Sequence, residues 1–436
     1  MMVAKLAGPM IISRLGEMTS SFLFLAFVGH FLPGSLGYAS FAWAFISLST
    51  VVGIGFFSTL MIDVAGENKG NVEKVTALLD TGIRLACVLG GVVVAGVLCY
   101  LIFNSDDSEN LASPNGIVML VMSLSIPAIY LQIVVFNYFN ALGQPRLELI
   151  FVWIFNAIFL MAAAVCIKIN LNISMTHFAL AYISLRWTLV LIVFALIKIK
   201  REKIFANSNG VIPRWADYRR FLLRGAPLAL CFGGESFLYF ALSIIAKDMG
   251  GLELAAYQAS LHFLSVIYMI SIGIGNATAI LTAQPFKENR LSTVKVRFFE
   301  GLAFGAILLV PCLIVCVCFS DLVAGLYSSD VEVRRLIGEN IKIAAPFLLF
   351  EFIYVVVRMV LRSLGDSWVP TAVTIFCLNG LGLSMVWLFF ELYQRDIKYL
   401  FWSLTICTFV LMVFLVWRLI NFFMTRQKQY LTTKLA

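Results

Sequence analysis

Apolar residues fill this chain in long, almost unbroken runs, and polar residues gather in short gaps between them. With glycine, proline and charged residues taken as punctuation, twelve runs emerge: 8–32, 36–64, 76–103, 116–140, 148–168, 176–199, 221–246, 253–284, 298–320, 341–362, 370–391 and 399–423. A helix needs about 20 apolar residues to cross a hydrocarbon core of about 30 Å. The runs meet that length, and those that exceed it are expected to tilt or project. In lipid every backbone polar group must be satisfied internally, so such runs form helices. The first run follows Lys5, carries Arg14 and Glu17 and shows no small-residue cleavage site, so it reads as a span, not a signal peptide. The pattern predicts an all-α membrane protein with twelve transmembrane helices.

Composition agrees. Of 436 residues, 61% are hydrophobic and 13% charged, against about 25% charged in soluble domains. No polar region is long enough for a separate soluble domain. The nine cysteines lie inside apolar segments, most densely in "PCLIVCVCF" at 311–319, and read as packed or lipid-facing thiols. His30, His177 and His262 are far apart and form no metal-binding pattern. No Walker A, GxSxG or Rossmann fingerprint occurs. ATP-driven transport, metal chemistry and a bound cofactor are therefore not expected, and neither is an enzyme.

The net charge of +8 has a layout. The segment 198–224, the 287–297 loop and the tail carrying Arg426, Lys428 and Lys434 are basic, and all fall on one side of a twelve-span chain. The loop "NSDDSENLASPN" at 104–115 lies on the other side and is acidic. Short basic loops face the cytoplasm, which places both termini there, with the plasma membrane as the default bilayer. The charge is thus a topology signal, and no nucleic-acid partner is expected.

The two halves repeat. "GPMIISRLGE" at 8–17 and "APLALCFGGE" at 226–235 both read proline, six residues, Gly-Glu. "VVGIGF" at 51–56 matches "SIGIGN" at 271–276, "GENKGN" at 66–71 matches "FKENR" at 286–290, and "NALGQP" at 140–145 matches "RSLGDS" at 362–367. Pro127 in span four pairs with Pro346 in span ten. The offset drifts only from 218 to 222, half the chain. Six spans per half give parallel repeats, a hallmark of secondary transporters. The expected organisation is an N-lobe over 1–205, a basic cytoplasmic linker over 206–220 and a C-lobe over 221–436, acting as a monomer.

These motifs, with "FVGH" at 27–30, "GAPLALCFGGESF" at 225–237, "LELAAYQASLHF" at 252–263, "IGIGNA" at 272–277 and "LRSLGDS" at 361–367, resemble the multidrug and toxic compound extrusion (MATE) family, close to its NorM-type branch. The resemblance implies two six-helix lobes related by a pseudo-two-fold around a central cavity, the fold of the wider multidrug and oligosaccharidyl-lipid exporter superfamily. It also implies export of organic, often cationic, compounds in exchange for H⁺ or Na⁺.

Charged residues within the spans are the candidate chemistry, because they mark ion or substrate paths. Desolvation favours the neutral form of any carboxyl, so a membrane-embedded glutamate can hold a proton and surrender it to water, Na⁺ or a cationic substrate. Glu235 lies about two turns into span seven, with no Lys or Arg within a turn on its helix. Tyr239, at i+4, is placed to reach its carboxylate. The resemblance makes Glu235 the ion-binding acid; the alternative is a protonated glutamate that fixes helix packing. Glu351, five residues after Pro346, matches the acid of span ten in the NorM-type branch. Arg358, seven residues on, offers a structural ion pair instead. Gln132, five residues after Pro127, is the N-half counterpart of Glu351. Glu17 is weighed evenly between ion site and a local pair with Arg14. The acid that many prokaryotic members carry in span one is replaced here by Phe24, which shifts weight to the C-lobe. Gln258 and His262, an i,i+4 pair in span eight, are weaker candidates for a cavity wall, and Arg186 needs a partner that the sequence does not name. Asp63 and Glu300 lie near span ends, where solvation is cheap.

The reading is a secondary antiporter for small organic cations. A lipid-linked oligosaccharide flippase of the same superfamily competes, since Arg14, Arg186 and Arg358 suit phosphates. An intramembrane enzyme is weaker, because no nucleophile–base or metal constellation is visible.

Overall fold

The computed structural model describes residues 2–32, 36–67, 72–103, 113–168, 174–204, 215–328 and 330–435. Most of the acidic loop at 104–115, residues 68–71 of the "GENKGN" repeat and residues 206–214 of the expected linker lie outside the described residues. The described residues are helical almost throughout: α1 (Met2–Phe31), α2 (Leu36–Ala65), α3 (Val72–Phe103), α4 (Pro114–Ser123), α5 (Ser125–Ala141), α6 (Arg146–Lys168), α7 (Met175–Ile204), α8 (Trp215–Met249), α9 (Gly251–Lys287), α10 (Leu291–Cys318), α11 (Ser320–Tyr327), α12 (Val331–Ser363), α13 (Trp368–Ile375), α14 (Gly382–Leu392) and α15 (Lys398–Leu435). Among the described residues, ten helical segments are long and apolar enough to cross a membrane. Helices also cover the two remaining predicted runs, α1 with 30 residues and α6 with 23. The chain is an integral membrane protein.

Two predicted spans are interrupted. The fourth is split into α4 and α5 at Leu124. Pro127 has no N–H for the Ser123 carbonyl and its ring crowds that turn, which weakens the helix just upstream. The Leu124 carbonyl accepts from Trp187 Nε1 at 3.2 Å. The eleventh joins α13 to α14 through a π-helical turn, Phe376–Leu381, whose Asn379 Nδ2 donates to the Gly234 carbonyl at 3.0 Å.

The chain divides into two compact units, Ile12–Ala229 and Leu230–Ala436 with Met1–Ile11. The divisions fall just after Pro9 in α1 and just after Pro227 in α8. In the first unit α5 is the central helix: every residue from Ile126 to Asn140 except Pro127 is buried. It packs on α2, α3 and α7, and Asn137 Nδ2 donates to the Phe57 carbonyl of α2 at 3.1 Å. Gly90 of α3 sits so close to Pro127 that a Cβ there would lie 2.6 Å from the Pro127 Cα. In the second unit α12 holds the same position, packed on α9, α15 and α10. Thus the repeat pair Pro127 and Pro346 marks the central helix of each unit.

The repeated "LG" ends both central helices in one way. Gly143 (φ +79°) and Gly365 (φ +92°) adopt the left-handed conformation, which glycine enters without steric cost. Gln144 N–H then bonds the Phe139 carbonyl at 2.9 Å, and Asp366 N–H the Leu361 carbonyl at 3.0 Å. Gly143 N–H and Gly365 N–H reach the Asn140 and Arg362 carbonyls, both at 3.0 Å. These paired bonds are Schellman caps that satisfy the last carbonyls of each helix.

Candidate functional site in the second unit

Glu235 of α8 and Glu351 of α12 are both buried, 5% and 2% exposed. They belong to one polar cluster, but the partners differ from those the sequence suggested. Arg358 does not pair with Glu351. Its Nη1 donates to Glu235 Oε1 at 2.5 Å and its Nη2 to Oε2 at 3.2 Å. Tyr354 OH donates to Glu235 Oε1 at 3.0 Å and Tyr268 OH to Oε2 at 3.5 Å. Tyr239 OH donates not to Glu235 but to Glu351 Oε1 at 3.3 Å.

Helical side chains lean toward the N-terminus of their own helix, and this explains both corrections. The Glu235 carboxylate is carried toward Cys231, one turn earlier and away from Tyr239. Cys231 Sγ also lies 3.2 Å from Arg358 Nη1. Glu351 leans away from Arg358, and seven residues of helix already separate them by about 10 Å along the axis. Glu235 is therefore locked to a guanidinium. Glu351 has a hydroxyl but no cationic partner among the described residues.

Arg358 is fully buried, and its guanidinium carbon lies 5.5 Å from the Phe232 ring and 5.3 Å from the Tyr354 ring. Removing one partner of a buried ion pair strands a charge, at about 3–5 kcal/mol. Tyr354, Tyr268 and Cys231 join the site beyond the residues that the sequence singles out. Cys231 and Tyr354 stand at i−4 from Glu235 and i+3 from Glu351, spacings that put them on the acids' faces. Tyr268, on α9, had no such signal.

In the first unit the corresponding position is polar without a carboxylate. Gln132 Oε1 accepts from Arg186 Nη1 at 3.2 Å, and Gln132 Nε2 donates to the Arg186 carbonyl at 3.3 Å. Arg186, unpartnered in the sequence, also bonds Tyr182 OH at 3.1 Å and stands 4.1 Å over the Phe155 ring. Phe24 is buried and stacks on Trp43 at 4.4 Å, with Phe178 and Tyr182 alongside. An aromatic cluster thus fills the place where a span-one acid is absent. Glu17 pairs with Arg14 at 2.7 Å, and Arg14 also bonds the buried Glu148 at 3.2 Å. Its local-pair reading describes these contacts.

Gln258 and His262 take separate partners, Ser243 at 2.6 Å and Tyr327 at 2.9 Å, and both are exposed. Asp63 is buried and paired with Arg224, not simply solvated at a helix end. Glu300 pairs with Arg297 at 2.7 Å and accepts from the Met2 backbone N–H at 2.8 Å.

The family model MatE matches residues 227–388, which include Glu235, Glu351 and Arg358. A probable multidrug resistance protein NorM of Caulobacter vibrioides is 24% identical over 389 residues, 84% of this chain and 80% of that protein. A second such protein, of Bacillus thuringiensis, is 23% identical over 405 residues, 88% of this chain and 86% of its own. Among solved structures, the eukaryotic MATE transporter AtDTX14 superposes with a TM-score of 0.84 at 15% identity, covering 96% of this chain and 95% of that one. A MOP superfamily transporter of Pyrococcus furiosus, described as having a binding pocket of reverse polarity, superposes with a TM-score of 0.80 at 13% identity, covering 98% and 96%. These likenesses bear out the MATE resemblance and give the chain the MATE fold.

Proposed function

We propose that this protein is a multidrug efflux transporter of twelve transmembrane helices in the plasma membrane, both termini cytoplasmic, exporting small organic cations in exchange for H⁺ or Na⁺. The reading rests on one observation: Glu351 is buried among α12 and its neighbours with a tyrosine hydroxyl and no cationic partner among the described residues. A buried carboxyl that forms no ion pair is neutralised by holding a proton or a metal cation. That is the property a coupling site requires. Glu235, already neutralised by Arg358, is the second half of the site. A cation that loads there must displace the guanidinium, so Arg358 acts as a built-in competitor.

The relatives' printed name, multidrug resistance protein NorM, supports small-molecule substrates. The driving forces are adequate: one pH unit supplies about 1.36 kcal/mol per proton, and 100 mV about 2.3 kcal/mol per charge.

The test is substrate efflux from proteoliposomes under separately imposed pH and Na⁺ gradients. Glu351→Gln is expected to abolish acceleration by the coupling gradient while the protein remains folded. Unchanged ion dependence would overturn Glu351 as the carrier. Glu235→Gln is expected to abolish drug-coupled ion exchange as well; full transport by that variant would count against the site.

A further inference from the structure

One turn beyond Arg358, Arg362 is 2% exposed, and no carboxylate answers it among the described residues. Its Nη1 has only the Met359 sulfur, at 3.6 Å, a weak acceptor. Its guanidinium carbon lies 5.5 Å from the Phe232 ring, the ring that Arg358 also faces. Its Nε and Nη2 have no hydrogen-bond partner, and neither has Arg358 Nε. Glu235 makes no hydrogen bond or ion pair with it; the Glu235 oxygens bond Arg358, Tyr354 and Tyr268.

Burying a charge without an ion-pair partner costs more than a cation–π contact returns. The two free donors of Arg362 are not scattered. Nε and Nη2 form one edge of the planar guanidinium, the edge whose parallel N–H bonds match the two oxygens of a carboxylate. Arg358 Nε, one turn away, adds a third donor.

We infer that the Arg362 edge, backed by Arg358, is a binding site for a carboxylate group, carried either by a free small acid or by the cargo itself. Arg362 bonds neither acid, so the site stands whether or not Glu351 carries the coupling ion, although Arg358 is shared with Glu235. It makes the second unit a place where a cation and an anion bind side by side, which suits zwitterionic cargo as well as purely cationic cargo.

The experiment is thermal unfolding of the full-length, detergent-purified protein, with sodium acetate titrated against sodium isethionate at constant ionic strength and sodium chloride titrated in parallel. The unfolding midpoint is expected to rise saturably with acetate and to do so far less with chloride. Arg362→Met is expected to abolish the acetate effect. Arg362→Lys keeps the charge but lacks the two-donor edge, and is expected to weaken apparent acetate affinity at least tenfold; it also serves if the methionine variant does not fold. No acetate dependence in the unaltered protein, equal dependence in the lysine variant, or chloride matching acetate would each overturn the site. Efflux of a fluorescent amino acid and of its methyl ester then identifies the source. Competition by acetate against the acid alone assigns the carboxylate to cargo, whereas stabilisation by acetate with no competition assigns it to a free anion; both require the site.

Discussion

At the residue scale, the two arginines of α12 decide how the acids behave. Arg358 and Glu235 neutralise each other in a setting from which water is largely removed. Breaking such a pair from one side is severe, whereas replacing both partners by apolar groups is often neutral. Arg358→Met alone is therefore expected to destabilise the protein by about 3–5 kcal/mol, read as a lower unfolding midpoint in detergent. The double variant Glu235→Leu with Arg358→Met is expected to recover most of that loss. Equal loss in the single and double variants would show that the pair is not mutually dependent. The acids themselves were legible in the sequence, because ionisable residues within apolar runs are few. Their partners were not. Spacing along one helix offered Tyr239 to Glu235 and Arg358 to Glu351, but the contacts that form are set by side-chain lean and by which helix lies opposite.

At the element scale, the repeated motifs at the ends of the two central helices were legible, whereas other helices run well past their predicted spans. "NALGQP" and "RSLGDS" repeat because each closes the central helix of its unit with a left-handed glycine. A Cβ at Gly143 or Gly365 would meet nothing within 4 Å, so a substitution there carries only a conformational penalty. Alanine in the left-handed region costs about 1–2 kcal/mol, and asparagine tolerates it better. Gly365→Ala is expected to lower the unfolding midpoint, and Gly365→Asn to lower it less. Equal effects of the two would point to packing instead. The break at Leu124 was less legible. Pro127 stood in the sequence, but a proline inside a membrane helix can kink it or split it, and the Trp187 donor to the Leu124 carbonyl, from a distant helix, had no signal along the chain.

At the scale of the whole molecule, the sequence carried the all-helical membrane class and the internal repeat, since both follow from run length and punctuation. The composition of each core followed less directly. Phe24 in its aromatic cluster and Arg186 over Phe155 arise from side chains far apart in the chain. The proposed orientation in the bilayer rests on charge alone: with twelve spans, the basic segments 198–224 and 287–297 and the tail would fall on one side, and the 104–115 segment on the other. Positively charged short loops are retained in the cytoplasm, and acidic residues contribute little to that choice. A periplasmically activated alkaline phosphatase fused after Ala436 is accordingly expected to be inactive in a bacterial host. The same enzyme inserted after Ser328, between α11 and α12, is expected to be active. The reverse pattern would invert the orientation and with it the direction in which a proton gradient drives cargo. Activity at both positions would require an odd number of crossings between Ser328 and the C-terminus to become even, and so would refute the helix count from α12 to α15.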